Sequence, residues 1–144
     1  MRSDLWGTCG AMGDDLDDDD YRTLASIRHQ LRAFVRFSEA AAREQGLTAQ
    51  QYQALLAIRG AAGAEVTVGY LAEQLLLRAH SATELVDRLE RQHFVSRVQG
   101  LDDRRQVKLR LTPEASAVLA SLAGNHRAEL RRLGPLLTEL IARL

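Results

Sequence analysis

Residues 67–112 read TVGYLAEQLLLRAHSATELVDRLERQHFVSRVQGLDDRRQVKLRLT, and this stretch decides the fold that the sequence predicts. Thr67 is a suitable N-cap for a short helix that runs to about Leu75. After a turn at residues 76–78, a second helix is expected from His80 to Gln92. Residues 94–98 and 107–111 read as two short strands, and residues 100–106 between them form a polar tip. Two helices and a hairpin in this order are the layout of a winged helix-turn-helix.

Amphipathic helices are predicted on the N-terminal side of this stretch. Apolar residues recur every three or four positions from Asp20, the expected N-cap, to about Gly46. Thr48 and Gln51 have the spacing of a capping box, which opens a second helix that ends at Gly60. The core face of this second helix is expected to contain Tyr52, Leu55, Leu56 and Ile58.

Two further helices are predicted on the C-terminal side. Thr112, Pro113 and Glu114 supply an N-cap, a proline at the first helical position and an acidic residue near the positive end of the helix dipole. We expect this helix to break at Gly134–Pro135, with a last helix over 136–144. The leucines of these peripheral helices exceed what a small monomer can easily cover, which indicates a homodimer.

The resulting prediction is one mainly helical domain with a small β-hairpin wing. Residues 1–19 are expected to form a flexible acidic tail, and residues 20–144 the domain. Residues 47–112 would form the winged helix-turn-helix lobe, while 20–46 and 113–144 would supply a helical dimerisation lobe.

The charge of the chain is unevenly distributed. Formal net charge is zero, from 19 basic and 19 acidic residues. Residues 1–20 contain seven aspartates and one arginine, so residues 21–144 carry a net charge of +6. All but one of the basic residues after position 20 are arginines, which suit phosphate and base-edge recognition. A nucleic-acid partner is therefore compatible with the composition.

Other classes of function have little support in the sequence. No apolar run approaches the roughly 20 residues of a membrane span, and no secretory signal is evident, so a cytoplasmic location is expected. The single cysteine, Cys9, cannot form an internal disulfide or a multi-cysteine metal site. No phosphate-binding glycine loop or catalytic motif occurs, and the four histidines are scattered, with His126 on an apolar stripe. We therefore expect no enzyme activity, no cofactor and no metal.

The start of the second helix of the pair carries the residues suited to contact DNA. A recognition helix places short polar side chains on base edges, and neighbouring groups contact phosphates. The candidates for base and phosphate contact there, together with one further arginine on the same helix, are Arg78, Ala79, His80, Ser81, Thr83 and Arg88. At the hairpin tip, Arg104 and Arg105 are suited to a narrow minor groove, and Asp102 and Asp103 flank them.

These residues resemble a known family. The run LAEQLLLRAHSATELVDRLERQHFVSRV, and Asp103-Arg104-Arg105 followed by Leu109-Arg-Leu111-Thr112-Pro113-Glu114, look like the MarR family of winged-helix transcriptional regulators. The resemblance spans roughly Tyr21 to Leu144. It implies that Asp103 orients the wing, that Arg105 enters the minor groove and that the helix from His80 reads the major groove. It also implies a homodimer on a pseudo-palindromic operator in double-stranded DNA.

The sequence departs from the common family pattern at two places. Leu76 and Arg78 stand where many relatives have a glycine and a serine cap, so Arg78 is expected to bind phosphate instead of capping the helix. Cys9 lies ahead of the first helix, not within it as in the peroxide-sensing branch, which argues against oxidation sensing.

Many members of the family bind small, often anionic aromatic molecules between their two lobes. In this sequence Arg28, Arg32 and Arg36 recur every four residues on the first helix. The candidate effector-binding residues are Arg28, His29, Arg32, Tyr52 and Tyr70. A solvated helix face or pairing between subunits is the alternative explanation of the arginine row.

The functional prediction is a homodimeric, sequence-specific DNA-binding transcriptional regulator, a repressor in the simplest case, released by a small effector if one exists. The alternative is an adaptor that uses the winged fold for protein contact alone.

Overall fold

The computed structural model describes residues 15–61, 64–100 and 106–144. In these ranges the helices are α1 (Asp18–Glu44), α2 (Ala49–Gly60), α3 (Val68–Leu75), α4 (Ala79–Arg91) and α5 (Pro113–Ala142), and the strands are β1 (Val95–Gln99) and β2 (Val107–Leu111). The order confirms the mainly helical winged fold. The helix of the pair predicted from His80 to Gln92 is α4, displaced by one residue.

Three helices begin at the threonines that the sequence indicates. The Oγ1 atoms of Thr48, Thr67 and Thr112 each accept a hydrogen bond from the backbone N–H three residues later, at 3.1 Å. The side-chain oxygen of Gln51 also accepts from the N–H of Thr48 at 2.9 Å, which completes the predicted capping box. These contacts satisfy N–H groups that the first helical turn leaves unpaired.

The start of α1 corrects the prediction that Asp20 is its N-cap. Asp17 is the cap, and its carboxylate accepts from the N–H of Asp20 at 2.9 Å, while the carboxylate of Asp20 accepts from the N–H of Asp17 at 3.0 Å. A cap at Asp20 would put Thr23 at the third position, which has no carboxylate to return this bond. The earlier start also places three aspartates in the first turn, at the positive end of the helix dipole.

The hairpin packs against the segment that precedes α3. β1 and β2 pair antiparallel, with Arg97 opposite Leu109. The N–H of Leu109 donates to the carbonyl of Val66 at 2.8 Å, and Val95, Leu109 and Val66 are all buried. The Lys108 ammonium also pairs with Glu65. Through these contacts β2 is held against the segment that leads into α3.

The core joins residues from four helices. The largest fully buried side chains come from α2, α3, α4 and α5, and they are Leu55, Leu71, Val86, Leu89 and Leu122. The prediction that Leu56 belongs to this core is wrong, since Leu56 is 44% exposed. It lies one residue, or about 100°, further around α2 than Leu55, beyond the buried face.

α5 corrects the prediction of a helix break at Gly134–Pro135. It continues without interruption to Ala142 with Pro135 inside it. The clash that normally ends a helix before proline involves the Cβ of the preceding residue, which Gly134 lacks. The hydroxyl of Thr138 donates to the carbonyl of Gly134 at 2.9 Å, and Leu133 and Leu140 are buried on either side. Packing thus holds the helix through the proline.

Replacement of Pro135 by alanine is expected to stabilise the protein. The substitution restores the N–H that α5 lacks at this position and removes the ring, a gain of up to about 3 kcal/mol. The measurement is the free energy of unfolding in urea at one fixed protein concentration. Pro113→Ala is the matched control, because a proline at the first helical position is compatible with its backbone, and its loss should destabilise by about 0.4–1 kcal/mol. Equal destabilisation by both substitutions would contradict this account of α5.

Candidate nucleic-acid interface

The turn between α3 and α4 is closed by a leucine in the left-handed conformation. Leu76 has φ 54° and ψ 42°, and its side chain is 85% exposed. The N–H of Leu77 donates to the carbonyl of Ala72 at 2.8 Å, which returns the chain toward α4. A bulky residue rarely adopts this conformation. The turn thus keeps its geometry without the glycine that the family resemblance leads one to expect.

α4 is strongly amphipathic, as predicted. Its buried face consists of Ala82, Leu85, Val86 and Leu89. Four of the predicted DNA-contacting residues are exposed together at the N-terminal end of α4, and they are Arg78, Ala79, His80 and Thr83. Ser81 beside them is half-buried. Arg88 is also exposed, one turn and a residue beyond Thr83.

The first turn of α4 has backbone donors without a side-chain cap. Arg78 is the N-cap residue, and its side chain makes no capping hydrogen bond. The Thr83 hydroxyl donates to the carbonyl of Ala79 at 3.0 Å, which leaves its lone pairs available as acceptors. Free N–H groups and the positive end of the dipole attract anions such as phosphate.

Arg97 joins β1 to α4 in a cluster that the sequence interpretation missed. Its Nη2 atom lies 2.6 Å from Asp87 Oδ1, and its Nη1 atom 3.0 Å from Glu90 Oε1. The hydrogen bond to Asp87, followed by the charges of both carboxylates, raises the pKa of Arg97. The sequence did contain one indication of this cluster. Arg97 is two residues from Val95, which is buried, so the two side chains share the inner face of the hairpin.

The predicted wing-tip residues Asp103, Arg104 and Arg105 lie outside the described residues, as does Cys9. The strands that carry the tip are described, and they lie within one residue of their predicted bounds. On β2, the side chain of Arg110 is exposed.

The structure does not assemble the five predicted effector-binding residues into one site. Arg28 and Arg32 line a shallow groove on α1, and the other residues of the groove are Leu31, Val35, Arg36 and Glu39. His29 is exposed outside this groove. Tyr52 belongs to the buried core, and Tyr70 is half-buried against it on α3. The arginines and the tyrosines therefore occupy separate places.

Tyr52 instead takes part in a buried contact that joins α2 to α1 and α5. Its ring stacks on the imidazole of His126 with centroids 4.4 Å apart. His126 lies 2.7 Å from the carbonyl of Leu122 through Nδ1 and 2.7 Å from the hydroxyl of Ser38 through Nε2. Because the carbonyl can only accept, Nδ1 donates to it, and in the neutral imidazole Nε2 then accepts from the hydroxyl of Ser38. His126 is buried, as its place on an apolar stripe indicates, and it connects α1, α2 and α5.

The described ranges contain neither a metal-binding cluster nor a membrane-spanning helix. Within residues 15–61, 64–100 and 106–144, no set of three or more His, Cys, Asp or Glu side chains is placed to hold a metal ion. No helix in those ranges combines the length and apolar character needed to cross a bilayer.

Sequence comparison supports the resemblance in the central part of the chain. Residues 45–106 match the model of the MarR family. The chain is also 30% identical over 67 residues to the uncharacterized HTH-type transcriptional regulator YsmB of Bacillus subtilis (strain 168). That alignment covers 46% of this chain and 46% of YsmB, so it spans about half the length of the curated relative.

Structural comparison covers most of the chain. Wild-type MarR from E. coli in its apo form is 25% identical with a TM-score of 0.61, over 83% of this chain and 82% of that protein. A mutant of S. aureus MepR, solved bound to an oligodeoxyribonucleotide, is 16% identical with a TM-score of 0.68, over 85% and 96%. The architecture is thus that of a winged helix-turn-helix protein. Residues 45–106 are therefore similar to the MarR family, within a chain whose fold is that of solved MarR-type structures.

Replacement of Ser38 by alanine is expected to destabilise the protein by about 1–3 kcal/mol, because it leaves Nε2 of His126 buried without a partner. The free energy of unfolding in urea measures the effect. Ser121→Ala, at an exposed position of α5, is the control and should change little. A Ser38→Ala protein as stable as the control would show that the contact with His126 contributes nothing.

Proposed function

We propose that this chain is a sequence-specific DNA-binding transcriptional regulator that acts as a homodimer on a pseudo-palindromic operator, and that it represses. The observation that carries the proposal is the first turn of α4, where an uncapped helix N-terminus and exposed polar side chains occur together on a helix-turn-helix. The match of residues 45–106 to the MarR family model supports it, as does the similar fold of a MepR mutant that was solved bound to an oligodeoxyribonucleotide.

In this proposal α4 enters the major groove. Ser81 and Thr83 read base edges with His80, since short polar side chains at the start of a recognition helix reach the groove floor. Arg78 and the free N–H groups of the first turn bind phosphate. Arg88, further along the helix, contacts the backbone.

The wing assignment rests on the sequence. Arg105, with Arg104 beside it, would enter the neighbouring minor groove, where negative potential is enhanced when the groove is narrow. Asp103 would orient Arg105 by a charge-assisted hydrogen bond. Arg110 on β2 extends the basic character of the hairpin.

The homodimer is supported by apolar side chains that the chain leaves uncovered. Exposed apolar residues lie along α1 and the second half of α5, and they are Tyr21, Leu24, Leu31, Val35, Leu130 and Ile141. We propose that they pack against the partner subunit and that the groove with Arg28 and Arg32 belongs to this contact. Two copies of α4 would then meet successive major grooves, about 10 base pairs apart.

DNA binding can be tested with a duplex selected by the purified full chain from a random pool. Arg105→Ala should weaken binding to all sequences and reduce the slope of log K against log salt by about 1. Ser81→Ala and Thr83→Ala should instead lower discrimination between the selected and altered duplexes, by about 1–3 kcal/mol. Fluorescence anisotropy at several salt concentrations measures both effects.

Arg127→Ala, an exposed arginine of α5 outside the proposed interface, controls for the loss of one positive charge. Its affinity should stay close to that of the unmodified chain. If the pool yields no bound DNA at any salt concentration, this proposal is wrong, as the adaptor alternative predicts. If all variants at positions 81 and 83 weaken every duplex equally, the assignment of the base-reading residues is wrong.

The dimer can be tested by light scattering at micromolar concentration, where we expect twice the chain mass of 16.0 kDa. Leu31→Glu combined with Val35→Glu should produce monomers, because these side chains, 47% and 52% exposed, would place charges in an apolar contact. Leu56→Glu, at an exposed leucine of α2, should leave the mass unchanged. A mass of one chain for the unmodified protein would exclude the homodimer.

A further inference from the structure

Arg97 of β1 forms ion pairs with two carboxylates of α4. Asp87 and Glu90 are three residues apart, so they lie on neighbouring turns of the same helix face. Each accepts from a different nitrogen of one guanidinium group, at 2.6 Å and 3.0 Å. The side chain of Arg97 is only 26% exposed, while those of Asp87 and Glu90 are about half exposed. One cation is therefore held in place between two anions.

The fold places this cation on the inner side of the hairpin. Arg97 shares the strand face of buried Val95 and stands opposite buried Leu109. Its aliphatic part covers the edge of the core, and its charged end emerges beside α4. Strand register fixes the backbone of Arg97, and the contacts with Asp87 and Glu90 hold its guanidinium beside α4.

The carboxylates lie close to the proposed DNA-reading surface. Asp87 is one turn beyond Thr83 and next to the exposed Arg88, about 6 Å along the helix axis from Thr83. Glu84 is exposed on the same side. Without Arg97, three carboxylates at positions 84, 87 and 90 would follow the recognition residues, and they would repel the phosphates that the first turn of α4 attracts.

We propose that Arg97 is a positioning residue for DNA recognition, which acts by neutralising Asp87 and Glu90 on the recognition helix. The proposal rests on the proposed DNA-binding function. It assigns to Arg97 an electrostatic role through the two carboxylates, without direct contact to DNA.

Arg97→Met tests the proposal by removing the charge while keeping a long apolar side chain. Affinity for the selected duplex at 100 mM salt should fall roughly tenfold, about half a decade for each of two exposed carboxylates. The loss should shrink as salt rises, because screening weakens repulsion between charges. Arg97→Lys, which keeps a cation beside the carboxylates, should stay within about threefold of the unmodified chain.

Neutral carboxylate analogues separate this role from simple stabilisation of the hairpin. Asp87→Asn with Glu90→Gln, combined with Arg97→Met, should restore affinity to within about threefold of the unmodified chain. The double substitution alone, with Arg97 present, should bind DNA as tightly as the unmodified chain or up to about tenfold more tightly, since a cation is left uncompensated. Circular dichroism and light scattering verify that each variant is folded and has the same mass.

These measurements separate an electrostatic role of Arg97 from simple stabilisation of the hairpin, and separate both from failure of the proposed DNA-binding function. If the folded triple variant remains as weak as Arg97→Met, or if the double variant loses affinity, the electrostatic role is overturned and Arg97 only stabilises the hairpin. If Arg97→Met does not fold, the sign of the change in the double variant still decides. If the unmodified chain binds no DNA, the proposed function fails, and the stability of the Arg97 cluster is unaffected by that result.

Discussion

The burial of one apolar face on each of α2, α3 and α4 is the constraint on which the rest of the structure depends. Leu55, Leu71, Val86 and Leu89 are fully enclosed, and the burial of each side chain contributes about 1.5–3 kcal/mol relative to exposure. Because helical side chains repeat every 3.6 residues, fixing the buried face of α4 also fixes its exposed face. Thr83 and Arg88 point outward for the same reason that Val86 points inward.

The polar contact at His126 connects α2 to the long helices α1 and α5. Its imidazole bonds to Ser38 on α1 and to Leu122 on α5, and it stacks on Tyr52 of α2. A buried polar group is costly unless its partners are present, so this contact favours one arrangement of three helices over other apolar packings. The angle between α1 and the helix-turn-helix is thereby coupled to the packing of a single ring. In a dimer of this fold, that angle would set the spacing of the two α4 helices.

Much of the fold could be predicted because its signals are local. Thr48, Thr67 and Thr112 cap helices through atoms within three residues, and the alternation of β2 identifies its own buried face. The predictions failed where a longer-range effect outweighed the local one. Pro135 has a strong local preference to end a helix, but Leu133 and Leu140 hold α5 against the rest of the protein.

The candidate site shows the same division. The exposed residues at the start of α4 follow from helix periodicity, which the sequence displays directly. The Arg97 cluster depends on the register of β1 and on the approach of the hairpin to α4, which no local pattern encodes. The predicted effector-binding residues lie apart in this chain for a related reason: a four-residue spacing aligns Arg28 with Arg32 on α1, but it contains no information about where Tyr52 lies.

Acidic residues of this chain lie next to positive groups, an arrangement that the net charge of the whole chain does not reveal. Three of the aspartates assigned to an acidic tail lie at the start of α1, where Asp17 caps the helix and Asp18 and Asp19 join Asp20 at its positive end. That end of the helix stabilises negative charge locally. On α4, by contrast, Asp87 and Glu90 are offset by a cation that comes from another element. The aspartates at the start of α1 are thus matched to a helix dipole, and Asp87 and Glu90 are matched to Arg97. The formal net charge of zero therefore does not argue against anion binding at the first turn of α4.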